Sequence, residues 1–295
     1  MANLIRPGHI IVAEELKLMR RTIPIAVGAA LLLSTPAFAQ DVFKTAVDGT
    51  FAPHAMPKLS GGIEGFNVDL ADAISHQLDK KITVDAAQFS GLVPALQAGT
   101  YDFLIAPVTV TKERAENMLF TEGYLNTDFQ FITKRDAPDI TKLEELSGKV
   151  ISVNKGSAYD SWARGLEDKI GWKVESFGTQ TDAVQAVLSG RAYANVAGNT
   201  VIQWAARNNP QIKLSYLHST GLVWAIALRK DSAALRNTLD VALECLKTDG
   251  TIAKLHEKWF DTKPAPGSAA VTVFAGYGVP DMPGYDPTAH QPACK

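Results

Sequence analysis

The chain has 295 residues, 46% apolar and 20% charged, with 29 basic against 31 acidic side chains. This composition excludes a fibrous or low-complexity polymer and suits one large domain or two moderate ones. A formal net charge of −2 gives no electrostatic reason to bind nucleic acid.

Arg20 and Arg21 precede an apolar run over residues 23–33, and Ala37-Phe38-Ala39 has the small-x-small pattern of a cleavage site. Residues 1–39 therefore read as a secretory signal, with Met19 as an alternative start. The run is interrupted by Pro24 and Gly28 and falls short of the ~20 residues that a bilayer span needs. Cleavage removes four basic and two acidic residues, taking 29 and 31 to 25 and 29, a balance of −4. Cys245 and Cys294 both lie in the exported part, where oxidation is permitted. A bridge between them would tie the end of the chain to the helix carrying Cys245, and two separate thiols are the alternative, since spacing leaves the pairing open.

From residue 41 strands and helices alternate, which predicts parallel or mixed sheets covered by helices. Residues 42–47 read as a strand and 48–65 as a long Gly- and Pro-containing loop of the functional or mobile kind. Asn67 reads as the cap of a helix with Leu70, Ala71, Ile74 and Leu78 on one face. A strand over 82–86 and a short helix over 91–98 follow, and a strand over 103–110 runs into Thr111-Lys112-Glu113-Arg114. Thr111 suits an N-cap, so free backbone N–H groups and the Arg114 fork converge on one place and fit a carboxylate.

The pattern then restarts. Strands are expected at 129–133, 150–153, 173–177, 192–197 and 213–217, with helices at 182–188 and 200–208 and a helical turn at 143–146. Ser157 and Asp160 form a capping box, a second helix start able to offer N–H groups. Two αβ units, each aiming a helix start at a ligand, suggest two lobes facing one cleft. A strand over 223–228 and helices over 232–247 and 251–260 complete the folded part. From residue 263 prolines and glycines exclude helix and leave an extended tail. The six histidines, at 9, 54, 76, 218, 256 and 290, show neither metal spacing nor a nucleophile arrangement, so no cofactor or metal is expected.

Over residues 42–260 the chain resembles the family 3 extracellular solute-binding proteins, the amino-acid receptors of ABC importers. The resemblance rests on Gly65-Phe66-Asn67-Val68-Asp69-Leu70-Ala71, on Phe89-Ser90-Gly91-Leu92-Val93-Pro94-Ala95-Leu96-Gln97-Ala98-Gly99, and on Tyr101-Asp102. It continues through Thr109-Val110-Thr111 with Glu113-Arg114-Ala115, Leu146-Ser147-Gly148-Lys149, Asp249-Gly250 and Lys258-Trp259-Phe260. It implies an α/β clamshell of the type II periplasmic-binding-protein fold, crossed twice by the chain near residues 125–129 and 220–224. Lobe 1 would comprise residues 40–126 and 223–262, lobe 2 residues 127–222, with 263–295 as the tail.

By the same resemblance Arg114 would grip a ligand carboxylate with help from Thr109, Phe51 and Phe89 would sandwich the ligand, and Asp48 would read its side chain. Gly156, Ser157 and Ala158 would cap the carboxylate from lobe 2. One departure stands out: where members carry an aspartate for the ligand's ammonium group, this chain has Ala197-Gly198-Asn199, so Asn199, Asp48 and carbonyls would have to serve, or the ligand is no ordinary α-amino acid. The implied protein is a periplasmic, monomeric, non-enzymatic receptor that hands a small molecule to an ABC permease and ATPase complex. The rival readings are a cyclohexadienyl (prephenate or arogenate) dehydratase on the same fold and a ligand-sensing partner of a membrane receptor.

Overall fold

The computed structural model describes residues 42–295, and the expected signal segment 1–39 lies outside them. In chain order the elements are β1 (Phe43–Asp48), β2 (Met56–Pro57), β3 (Ile63–Glu64), α1 (Phe66–Leu78), β4 (Ile82–Ala87), α2 (Phe89–Gln97), β5 (Leu104–Thr109), α3 (Lys112–Asn117) and β6 (Met118–Phe120). The chain continues with β7 (Leu125–Lys134), a 3₁₀ turn (Leu143–Leu146), β8 (Val150–Asn154), α4 (Ala158–Gly165), α5 (Glu167–Ile170), β9 (Lys173–Phe177), α6 (Gln180–Ser189), β10 (Ala194–Gly198) and α7 (Asn199–Asn208). Strand β11 (Ile212–Arg229) and helices α8 (Ala233–Thr248) and α9 (Thr251–Phe260) close the order.

Two lobes result, and β7 and β11 run through both. β1 pairs in parallel with β4, while the large sheet has the order β5-β11-β7-β10-β8-β9 with β6 added against β11. β5 is buried along its whole length and apolar up to Thr109, as suits a strand covered on both faces. Pro107 in it has no N–H to give, and the β5–β11 register shifts in this stretch, between Ala225 and Ala227. In the first lobe α1 lays Phe66, Leu70, Ala71 and Ile74 onto Phe103 and Ile105. The second lobe packs around Phe131, Ile151, Val153, Trp172 and Val196. Each such large side chain contributes roughly 1.5–3 kcal/mol by leaving water.

Three expectations change on contact with the structure. The strands expected at 213–217 and 223–228 are one strand of 18 residues, because the Asp128 carboxylate accepts from Thr220 N (2.8 Å) and Ser219 Oγ (3.3 Å) and holds the irregular middle in line. Asn67 is not the helix cap. Gly65 is, and the fully buried Asn67 amide instead donates to Tyr124 Oη (2.7 Å) and to the Ile105 carbonyl. The tail has no helix, as its prolines dictate, but it folds as successive turns docked on α8 and bonded there through a Cys245–Cys294 disulfide.

Candidate functional site

β5 ends at Thr109, and Thr111 caps α3 by accepting from Arg114 N at 3.3 Å. The cap fixes the Arg114 backbone, and its side chain folds back over the strand end. Nη1 donates to the Thr109 carbonyl (3.1 Å) and Nη2 crosses to the Gly156 carbonyl of the second lobe (2.9 Å). The guanidinium also lies 5.8 Å from the centre of the Phe89 ring. Burial lowers the Arg114 pKa, with the nearby Tyr159 and Glu113 opposing. Among the described residues Arg114 forms no ion pair: its cleft partners are neutral carbonyls.

The second lobe meets it with the loop after β8. Gly156 adopts φ +78, a left-handed conformation that favours glycine, and a Cβ there would stand 3.4 Å from Ser90 Cα across the cleft. Ser157 caps α4 by accepting from Asp160 N (3.0 Å), Asp160 Oδ2 accepts from Gly156 N (2.8 Å), and Ala158 and Tyr159 begin the helix, buried. Burial raises the Tyr159 phenol, and both Asp48, which raises it further, and Arg114, which lowers it, act on it. Tyr159 therefore stands within reach of both charges.

Asp48, at the end of β1, is 2% exposed and is held by three neutral donors: Thr50 N (3.0 Å), Thr50 Oγ1 (2.7 Å) and, from the other lobe, Asn154 Nδ2 (2.9 Å). It too makes no ion pair among the described residues. Asn154 Oδ1 is buried without a hydrogen-bond partner. Its amide orientation follows from its neighbour, since the carboxylate of Asp48 calls for the N–H side.

The remaining wall is aromatic. Trp224, in register on β11 between Thr109 and Leu125, is 1% exposed and donates its Nε1–H to Thr109 Oγ1 at 3.0 Å. Its ring lies edge-on to Phe51 (6.1 Å) and His54 (4.7 Å). It also covers Gly198, where a Cβ would stand 2.3 Å from Cζ2 of the indole. His54 bridges the lobes, with Nδ1 against Asn67 Oδ1 (2.9 Å) and Nε2 against Thr200 Oγ1 (2.7 Å). Because Asn67 spends its N–H groups elsewhere, Nδ1 carries the proton and Nε2 accepts. Burial, opposed by the Asn67 bond, holds the His54 pKa down at about 3, so the ring is neutral.

The residues expected from the sequence thus separate into two sets. Arg114, Thr109, Phe89, Gly156, Ser157 and Ala158 converge at the interlobe edge, and Asp48 and Phe51 line the same cleft. Asn199 does not join them: its Oδ1 faces Asp128 N at 3.4 Å and it borders a cavity of about 450 Å³ shared with Leu125, Ser219 and Gly221, while the Trp224 ring occupies the face of Gly198. Trp224 and Asn154 were not expected. The indole lay in a segment read as a crossing and the start of a strand, with no site role, and Asn154 has no sequence neighbour that marks it. His54, a loop histidine by sequence, is fully buried.

Comparison with known proteins adds the following. The model of the bacterial extracellular solute-binding proteins, family 3, matches residues 43–262. The "Probable amino-acid-binding protein YxeM" of Bacillus subtilis (strain 168) is 33% identical over 210 residues, covering 69% of this chain and 78% of that one. The structure of an ancestral arginine-binding protein bound to arginine superposes with a TM-score of 0.71 at 33% identity, over 74% of this chain and 98% of that one. That of the ancestral amino acid-binding protein AncCDT-1, a precursor of cyclohexadienyl dehydratase, gives a TM-score of 0.69 at 28% identity, over 74% and 95%.

Proposed function

This chain belongs to the bacterial extracellular solute-binding proteins, family 3, and from that premise we propose that its cleft traps a small zwitterion carrying a carboxylate, which the protein delivers to an ABC permease. One observation carries the reading: Arg114 and Asp48 are opposite charges inside one cleft, each met there only by neutral groups and not paired with each other. Asp48 is buried and Arg114 half-buried; a charge drawn out of water without a counter-charge is costly, and a ligand bearing both signs would offset both at once. Arg114 would hold the carboxylate by its fork, with the Thr109 hydroxyl free to donate while it accepts from Trp224. Asp48 would take the cationic end, and Phe51 and Phe89 the apolar body.

Bonds such as Asp48–Asn154, His54–Thr200 and Arg114–Gly156 join the lobes across the cleft, and a ligand between them would favour this closed arrangement through a hinge at β7 and β11. The lobe boundaries at 126/127 and 222/223, export to the periplasm after cleavage of residues 1–39, and a monomeric state belong to the same proposal. A binding protein, as the relatives' names describe, fits the site better than an enzyme: both His54 nitrogens are committed to Asn67 and Thr200, which leaves neither to move a proton.

The test is a melting-shift screen of amino acids, opines and other zwitterions, repeated on Arg114→Ala. Loss of the carboxylate's partner removes ~3–5 kcal/mol of binding, and with it the ligand-induced shift. An undiminished shift in the variant would take Arg114 out of the site. Turnover of prephenate or arogenate by the purified protein would replace the receptor reading with the enzymatic one.

A further inference from the structure

Resting on the receptor reading above, the geometry points to Trp224 as a specificity-determining residue: its indole, seated on Gly198, excludes an ammonium group beside the gripped carboxylate, so the solute carries its cationic N–H group at a distance, on Asp48 and Asn154.

Thr109 touches Arg114 through its carbonyl and Trp224 through its hydroxyl, so the indole borders the place where a carboxylate on Arg114 would sit. The groups packed against that side of the indole are Gly198, with the unpartnered hydroxyl of Thr127 beside it, Phe51 and His54. None is an anion. Glycine has no side chain, and an acidic side chain at 198 is sterically barred, because even a Cβ would stand 2.3 Å from the indole. An ammonium group bonded next to the carboxylate would lose its water here and find no counter-charge.

The opposite side of the cleft has the missing counter-charge. The Asp48 carboxylate accepts three hydrogen bonds, leaving one of its roughly four lone-pair sites open. Beside it Asn154 Oδ1, on a residue 1% exposed, has no partner. A carboxylate site and an amide oxygen side by side suit a group with two or more N–H donors and a positive charge, a primary ammonium or a guanidinium. The class of ligand is therefore an ω-amino or ω-guanidino carboxylate with no free ammonium at its α carbon.

Calorimetric titration of the whole chain with two probes tests this: 4-guanidinobutanoate, which has the remote cation alone, and L-arginine, which has the α-ammonium as well. 4-Guanidinobutanoate is expected to bind at least about 100-fold tighter, the cost of one desolvated, unpaired ammonium. Asp48→Asn is expected to remove that binding, and the double variant Trp224→Gly with Gly198→Asp to shift the preference toward L-arginine. Where the double variant does not fold, Trp224→Ala, which keeps Gly198, is expected to narrow the preference of the parent protein. L-Arginine binding to the parent as tightly as 4-guanidinobutanoate overturns the inference and leaves the receptor reading standing. Failure of both probes to bind also overturns it, and the receptor reading then rests on the wider zwitterion screen.

Discussion

Two regions of this protein bury charge, and they finish the job differently. Behind α8, Lys247 Nζ donates to Glu122 Oε1 (2.6 Å), Gly123 O (2.7 Å) and Thr272 O (2.8 Å), one acceptor for each N–H, and neither side chain of the ion pair is exposed. The tail supplies further partners: Phe274 N to Glu122 (3.1 Å), Gly278 N to Asp240 (2.6 Å) and His290 to Glu244 (2.9 Å). In the cleft, by contrast, Arg114 and Asp48 reach only neutral groups, and an amide oxygen beside Asp48 has no partner. The Lys247–Glu122 pair is completed from within the chain and belongs to the scaffold, while Arg114 and Asp48 have no counter-charge of their own and, on the reading proposed above, await one from a ligand.

The comparison breaks if removing a cation has the same effect in both places. Lys247→Met leaves Glu122 buried without its counter-ion and is expected to cost about 3–5 kcal/mol of folding stability. Arg114→Ala strands no ion-paired partner, so its unliganded stability should change by about 1 kcal/mol or less. Denaturant unfolding of the two variants measures both, and a larger loss for Arg114→Ala would reverse the assignment. The covalent tie of the tail comes next. Cysteines 49 positions apart close a loop worth up to about 4 kcal/mol by chain entropy, so Cys294→Ser should lower stability by at most that much while ligand affinity holds.

In the response to pH the two regions differ in sign. His54 titrates at 6.5 unfolded and at about 3 folded, so the unfolded chain binds the extra proton between those values. Stability from the cleft is therefore full above 6.5 and is lost on acidification, at up to about 1.4 kcal/mol per pH unit. Asp240 moves oppositely. Burial, against two backbone N–H donors, lifts its carboxyl from 3.8 to about 8, so the folded chain holds the proton and stability is lost as pH rises through that window. Between pH 4 and 6.5 the two slopes oppose each other, so unfolding midpoints of His54→Gln should fall with rising pH there, while those of Asp240→Asn should rise up to pH 6.5 and stay level above it.

Much of the fold was legible because local pattern and tertiary context agree. The turn at 143–146, the strand at 173–177 and the helix at 251–260 appear where periodicity and caps put them. Thr111 and Ser157 behave as caps for the same reason: their partners are three residues away. Asn67 was misread because a polar residue ahead of an apolar helix face looks like a cap, while its partners His54, Ile105 and Tyr124 are 13, 38 and 57 residues distant. Trp224 was equally silent. Nothing in its neighbourhood says that its ring meets Gly198 and Thr109, since only the pairing of β5, β11 and β7 brings them together. The charge cluster behind α8 follows the same rule, because its acids and bases are spread from residue 122 to residue 290.

The bridge between Cys245 and Cys294 has a consequence for any protease that attacks the docked turns. A single cut between those two positions severs the backbone yet releases nothing, since both fragments stay joined through sulfur. Such a nicked molecule would migrate as intact on a non-reducing gel and fall into two bands only when a thiol is added.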